Sequence, residues 1–214
     1  MKTFKRGILI SIEGIDGSGK TVLAKNIYNF FLQQNASIIL TREPGASELG
    51  KYIRTLLQQQ SFDVDAKAEY LLFAADRAQH FKHLIIPALA EKKMVISDRL
   101  GDSSLVYQGY GRGLDLDIIT TVNRWVMEGI EPDIVLYLKT DPLIARERIQ
   151  KRNEKLTSFE KEDLSFTLKL VQGFQTIYEK RTNVITLEGH KDATQLLIDA
   201  THAIEQWIKD NHII

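Results

Sequence analysis

Eight residues near the start of the chain limit its fold more than any others: Gly14-Ile15-Asp16-Gly17-Ser18-Gly19-Lys20-Thr21. They match G-x-x-x-x-G-K-[ST] in full. The β-branched run Ile8–Ile12 directly precedes them, and the candidate helix Lys20–Gln33 directly follows. Strand, glycine loop and helix in that order predict a phosphate cradle. Gly14, Gly17 and Gly19 let backbone N–H groups approach phosphate oxygens with no Cβ in the way. The helix start adds the positive end of its dipole. Lys20 brings a point charge to the terminal phosphates, and the Thr21 hydroxyl can ligate Mg²⁺. Gly14 to Thr21 therefore reads as the seat of a nucleoside triphosphate.

The rest of the chain alternates short β-branched runs with long amphipathic ones, which favours a parallel sheet covered by helices. Candidate strands are Ile8–Ile12, Ser37–Leu40, Met94–Ser97, Ile134–Leu138 and Val184–Leu187. Candidate helices are Lys20–Gln33, Ser47–Gln58, Ala66–Glu91, Leu116–Glu128, Pro142–Arg152, Phe159–Lys180 and Ala193–Lys209. The expected fold is α/β: a three-layer P-loop fold with a five-stranded parallel sheet flanked by helices. At 214 residues it is read as a single domain, residues 1–214. In the last helix, Ala193, Leu196, Leu197, Ala200, Ile204, Trp207 and Ile208 share a face, which is read as core packing. Gln150–Glu162 is dense in charge and poor in large apolar residues, so it is read as a mobile lid over the site.

Lys+Arg and Asp+Glu both count 28, so no basic excess supports a grip on a nucleic-acid polymer. With no cysteine, disulfides, thiolate metal sites and cysteine nucleophiles are excluded. The apolar run after Met1–Arg6 is too short for a signal core or a membrane span, and a cytoplasmic protein is expected.

A phosphate loop serves switches and motors as well as small-molecule kinases. No Asn-Lys-x-Asp guanine-reading segment is present, and the strand Ile134–Leu138 leads instead into Thr140-Asp141-Pro142. Arg146, Arg148 and Arg152 follow on one helix, as a lid closing over transferring phosphates would need, although a solvated charged face reads the same way. Arg42 and Arg99 each end a candidate strand, on the side where open α/β sheets bind ligands, and guanidinium groups clamp phosphates bidentately. Asp98 closes the apolar run Met94–Ile96 and fits a Mg²⁺-holding role, or a plain pairing with Arg99. Phe73 and Arg77 stand one turn apart, a ring to stack on a base with a donor fork beside it. Leu71, Ala74, Ala75 and Ala78 give the same helix a second apolar face, which points to a homodimer.

Thr41-Arg42-Glu43-Pro44-Gly45, Phe73-Ala74-Ala75-Asp76-Arg77 and Asp98-Arg99 with Ser103-Ser104-Leu105-Val106-Tyr107-Gln108-Gly109 resemble the bacterial thymidylate kinases in order and spacing. The resemblance runs over nearly the whole chain. It implies ATP and thymidine monophosphate (dTMP) as substrates, and Mg²⁺ held at Thr21 and Asp98. It implies Asp16 accepting from the sugar 3′-hydroxyl, Arg42, Phe73, Arg77 and Arg99 on the acceptor, Ser104 at the base edge, and Tyr107 where a 2′-hydroxyl would lie. Lys20, Arg99, Arg148 and Arg152 are the expected catalytic cations. Two departures stand out. Gly45-Ala46-Ser47 replaces the family's Gly-Gly-Thr, and Leu156-Thr157-Ser158-Phe159-Glu160 lacks the Asp-Arg that usually precedes an apolar residue and Glu in the lid. A deoxynucleoside kinase and a nucleotide-binding regulator without transfer activity are the competing readings.

Overall fold

The computed structural model of the chain describes residues 4–58, 63–152 and 154–213. The basic start Met1–Arg6 is thus described from Phe4 onward, and Asn153 of the lid stretch lies outside the described residues.

Five runs pair as parallel strands: β1 (Ile8–Glu13), β2 (Ile38–Arg42), β3 (Met94–Asp98), β4 (Ile134–Lys139) and β5 (Val184–Glu188), in the order β2-β3-β1-β4-β5. β2 reaches past the expected end at Leu40, because Thr41 and Arg42 stay in register with Ser97 and Asp98. The helices are α1 (Lys20–Gln33), α2 (Glu48–Gln58), α3 (Ala66–His80), α4 (Ile86–Ala90), α5 (Gly101–Ser104), α6 (Leu116–Val126), α7 (Pro142–Lys151), α8 (Leu164–Tyr178) and α9 (Ala193–Asp210).

Every residue of β1 is buried, as expected of a strand covered on both faces. Ile8, Ile10 and Ile12 share a core with Leu23, Ile27 and Phe31 of α1 and with Leu196, Ala200 and Ile204 of α9. Leu9 packs on the opposite side with Phe81, Ile85 and Val95, while Val135 and Tyr137 meet Phe166, Leu170 and Phe174 of α8. Two helical layers therefore enclose the sheet. On α9, Trp207 is partly buried against the core and lies under the Arg6 guanidinium, 5.5 Å from its ring centroid. Ala193, expected on the core stripe, is exposed in the first turn.

Two helical expectations are corrected. Phe159–Lys180 is not one helix. Phe159–Lys161 forms a short 3₁₀ turn, and α8 begins at Leu164, where Asp163 adopts extended backbone and accepts from Phe166 N at 2.8 Å. An Asp that bonds its own downstream backbone starts a new helix. Ala66–Glu91 does run on as helical backbone, but Phe81–Ile85 widens into a π-turn between α3 and α4. Pro87 has no N–H to give the ladder, and the shifted hydrogen-bond register just before it accommodates that loss.

Candidate active site

The loops after β1 and β3 meet beside the point where the strand order reverses, the usual ligand crevice of such a sheet. Arg99 N donates to the Ile12 carbonyl at 3.0 Å and ties the two loops together. A cleft of about 580 Å³ opens over them.

The phosphate loop forms the floor. Gly17 has φ 78°, and a Cβ there would stand 2.2 Å from the Ala145 carbonyl oxygen, so a side chain has no room. Gly19 enters α1 with φ 102° and no side-chain cap, which leaves the first-turn N–H groups to a ligand. Ile15 and Ser18 are buried in the loop. Lys20 Nζ, also buried, donates to the Ile15 carbonyl at 2.7 Å. Burial and the nearby Arg99 charge lower the Lys20 pKa to about 8, against the opposing pull of Asp16, Asp98 and Glu13. An incoming anion would restore it.

Thr21 Oγ1 donates to Asp98 Oδ2 at 2.5 Å, so the two candidate metal ligands stand together. Mg²⁺ is generally held by one or two protein oxygens plus substrate phosphates, and a hydroxyl–carboxylate pair at the cleft edge fits that pattern. Asp98 pairs with Thr21; Arg99 turns elsewhere.

Arg99 has φ 73°, which aims its side chain back across the phosphate loop. Its guanidinium donates to the Gly14 carbonyl (3.1 Å), Ser103 Oγ (2.9 Å) and Tyr107 Oη (3.0 Å) and pairs with the Asp16 carboxylate. Burial alone would lower the Arg99 pKa, but Tyr107, Asp16, Asp98 and Glu13 raise it well above its ordinary value. Burial likewise works to raise that of Asp16, yet Arg99 and Lys20 hold the carboxyl below its usual range. Burial pushes the Tyr107 hydroxyl far up. Glu13, which the sequence reading passed over, accepts from Leu100 N (2.7 Å) and Ser103 Oγ (2.6 Å) and so anchors the backbone just after Arg99. Burial, followed by the Asp102 charge, raises its pKa to about 8.

The acceptor side is built from α3 and the segment after β2. Phe73 is half-buried and lines the cleft. Arg77 also lines it, yet its side chain is only 1% exposed. Its donors reach Glu43 Oε2 (2.8 Å), Asn123 Oδ1 (2.7 Å), Ser104 Oγ (3.1 Å) and the Leu100 carbonyl (3.3 Å). Glu43 also meets His80 Nδ1 at 3.0 Å; burial works to raise its pKa, but Arg77 and His80 lower it. Gln108 Nε2 donates to buried Glu69 at 2.9 Å.

Arg42 is exposed at the cleft mouth. Arg54 of α2 faces the same space, and was not singled out from sequence. Burial and the charge of Arg42 lower its pKa, against the opposing pull of Asp98 and Asp16, so two guanidinium groups share one region of the cleft. Its only signal is its place on the same face as Gly50 and Leu57, positions −4 and +3 along the helix. Above, Arg148 Nη1 donates to the Ser18 carbonyl at 3.3 Å, while Arg152 is paired with Glu154 and Glu160. Arg146 does not line the cleft.

Residues 12–200 match the family model for thymidylate kinase. The chain belongs to the thymidylate kinase family. It is 40% identical over 202 residues to a thymidylate kinase of Halothermothrix orenii, covering 94% of this chain and 97% of the relative. With one from Bacillus cereus strain B4264 it shares 37% over 196 residues, covering 91% and 94%. The crystal structure of thymidylate kinase from Ehrlichia chaffeensis superposes with a TM-score of 0.75 at 30% identity, covering 93% of this chain and 99% of the other. The P-loop architecture and the five-stranded parallel sheet are thus those of the thymidylate kinases.

Proposed function

We propose that this cleft works by holding ATP and dTMP in line, with the phosphate loop on the donor and the arginines after β2 and β3 on the acceptor. As a thymidylate kinase, the chain uses ATP to phosphorylate dTMP, giving the diphosphate on the way to dTTP. The observation that carries the division of labour is the meeting of Lys20, Arg99 and Asp16 at the carboxyl ends of β1 and β3.

An acceptor phosphate oxygen attacks the γ-phosphorus, and the bond to the β–γ bridging oxygen breaks, releasing ADP. The attacking oxygen is already anionic, so no general base is required, and the protein's work is positioning and charge stabilisation. Lys20 and the first-turn N–H groups of α1 take the donor phosphates. Arg42, Arg54 and Arg99 take the acceptor phosphate, and Asp16 takes the sugar 3′-hydroxyl. Tyr107, fixed on Arg99 and Asp16, fills the space a 2′-hydroxyl would need. Phe73 stacks on the base, with Arg77 and Ser104 at its edge. Mg²⁺ held by Thr21 and Asp98 would neutralise phosphate charge when bound. Arg148 on α7 and Arg152 in the lid, approximately residues 150–162, act from above the cleft, and a single P-loop domain over residues 1–214 carries all these parts.

Selectivity tests this reading. With release of ADP followed over a panel of nucleosides and nucleoside monophosphates, dTMP should exceed uridine monophosphate and every purine monophosphate by about a hundredfold in kcat/KM, roughly 2.7 kcal/mol. Comparable turnover of a purine monophosphate would overturn the base-reading roles. Preference for thymidine over dTMP would remove the acceptor-phosphate role of the arginines.

We further propose a homodimer. Tyr52 of α2, Leu71 of α3, and Ile118 and Trp125 of α6 are exposed at 76%, 59%, 60% and 77%, on helices packed side by side, whereas Ala74 and Tyr70 turn inward to Ile119. Large exposed apolar side chains gathered on one surface mark an interaction site. Light scattering should give about twice the 24.4 kDa chain mass; a single-chain mass at micromolar concentration would refute the dimer. Among the described residues no helix is long and apolar enough to cross a membrane. We assign the enzyme to the cytoplasm, with small molecules and a second copy of itself as partners and no nucleic-acid polymer.

A further inference from the structure

The lid's apolar residue, Phe159, does not hang over solvent. Its ring centroid lies 6.0 Å from that of Phe73 at 50° and 5.6 Å from that of Tyr107 at 82°. It therefore stands between the ring assigned to the base and the ring assigned to the sugar. A base sandwiched between two rings needs them about 7 Å apart, twice an optimal carbon–carbon contact. The Phe73–Phe159 gap is shorter and tilted, so a base entering between these two rings must move Phe159.

The next residue is what gives that movement a consequence. Glu160, whose side chain is 5% exposed, accepts from Arg152 Nη2 with both oxygens, at 2.9 and 3.0 Å. The same carboxylate accepts from Thr157 N at 2.9 Å, so the turn Phe159–Lys161 and the Arg152 pair form one unit. On the far side Arg112 holds the turn's exit. It donates to Glu162 at 2.5 Å, reaches Glu69 at 3.4 Å, and lies 5.7 Å from the Phe159 ring centroid. Arg112 thus provides a fixed end about which the turn can swing.

We propose that Phe159 is a positioning residue through which acceptor binding frees Arg152: the arriving base displaces Phe159, Glu160 swings with it, and Arg152 is released toward the transferring phosphoryl group. This rests on the kinase reading above and goes beyond it. Before the acceptor binds, a lid cation is kept neutralised by buried Glu160, with the exposed Glu154 as a weaker second partner, and ATP is spared hydrolysis. After it binds, the cation is delivered. An equilibrium shifts in this way only if the ligand interacts differently with the two arrangements, and the occupied base slot supplies that difference.

Phe159→Ala, Glu160→Gln and the double substitution test it, with Phe159→Leu as a control. Glutamine keeps an oxygen for Thr157 N while removing the buried one of the two charges that hold Arg152. Phe159→Ala should lower kcat for dTMP about tenfold, matching Arg152→Met, because the base no longer displaces Glu160. Glu160→Gln should raise acceptor-independent ATP hydrolysis about tenfold, and in the Phe159→Ala background it should restore kcat to within about threefold of the parent. Phe159→Leu keeps the apolar packing and should fall between parent and alanine, which separates the effect from lost folding. The proposal is overturned if Phe159→Ala raises only the KM for dTMP with kcat intact, since the ring is then a plain wall of the base slot. It is equally overturned if Glu160→Gln leaves acceptor-independent hydrolysis at the parental level. Failure of the parent itself to phosphorylate dTMP would refute the kinase reading, a result distinct from either.

Discussion

Lys20→Ala should reduce kcat by about a thousandfold while the protein still melts cooperatively near the parental temperature. The side chain is buried in the phosphate loop, and among the described residues its hydrogen-bond partners are the Ile15 carbonyl and Ser18 Oγ. Neither needs a full positive charge. The charge is therefore kept for phosphates, and it counts most where charge spreads during transfer. With its pKa lowered to about 8, the free enzyme loses this charge as pH rises through that value. The kcat/KM for ATP should accordingly fall above about pH 8, the direction expected when the protonated amine is the binding form. A kcat within tenfold of the parent in Lys20→Ala, with folding intact, would remove Lys20 from the mechanism.

Arg148→Met should cost roughly a hundredfold in kcat, with little change in the KM for dTMP, and Arg152→Met about tenfold. Both arginines project from the same side of the α7 helix end and line the cleft. Their surroundings differ. Arg148 is held by one long bond to the Ser18 carbonyl, on the phosphate loop itself, and can turn to a phosphate at small cost. Arg152 must first leave two carboxylates. Single-turnover kinetics with pre-bound substrates would isolate the transfer step from release. Should the double substitution leave kcat within about tenfold of the parent, these side chains are surface charges, and the lid cation must be sought at Lys151, Lys155 or a second subunit.

The donor half of the site was open to reading because its chemistry is local. Strand, glycine loop and helix are contiguous, so Gly14 to Thr21 states its own geometry. The five strands were legible for a similar reason: short β-branched runs stand out against amphipathic helices, most clearly in β1, β3 and β4, which are buried nearly throughout. The acceptor half is assembled from distant segments: strand ends pointed to Arg42 and Arg99 and helical spacing to Phe73 and Arg77, while only family resemblance gave Asp16, Ser104 and Tyr107 their acceptor roles. It could not show that Arg77 is enclosed by Glu43, Asn123 and Ser104, since those contacts span 27 to 46 positions. Arg54 was invisible because an arginine on an amphipathic helix looks the same whether it meets solvent or substrate. The helix break at Asp163 was in principle readable, as an aspartate ahead of an apolar periodic run, but the strong apolar pattern beyond it drew the predicted start upstream to Phe159.

The enclosure of Arg77 has a consequence for how this enzyme can change. The residue proposed to read the base is also the cation that neutralises buried Glu43, and removing one partner of a buried ion pair typically costs about 3–5 kcal/mol. A lineage drifting toward another base cannot alter that contact without disturbing the subunit's interior, so a new specificity requires compensating substitutions at Glu43 or His80 first. Arg42, exposed at the mouth, carries no such tie. Evolutionary or laboratory variation should therefore accumulate at the phosphate end of the acceptor slot, while the base end is inherited nearly unchanged.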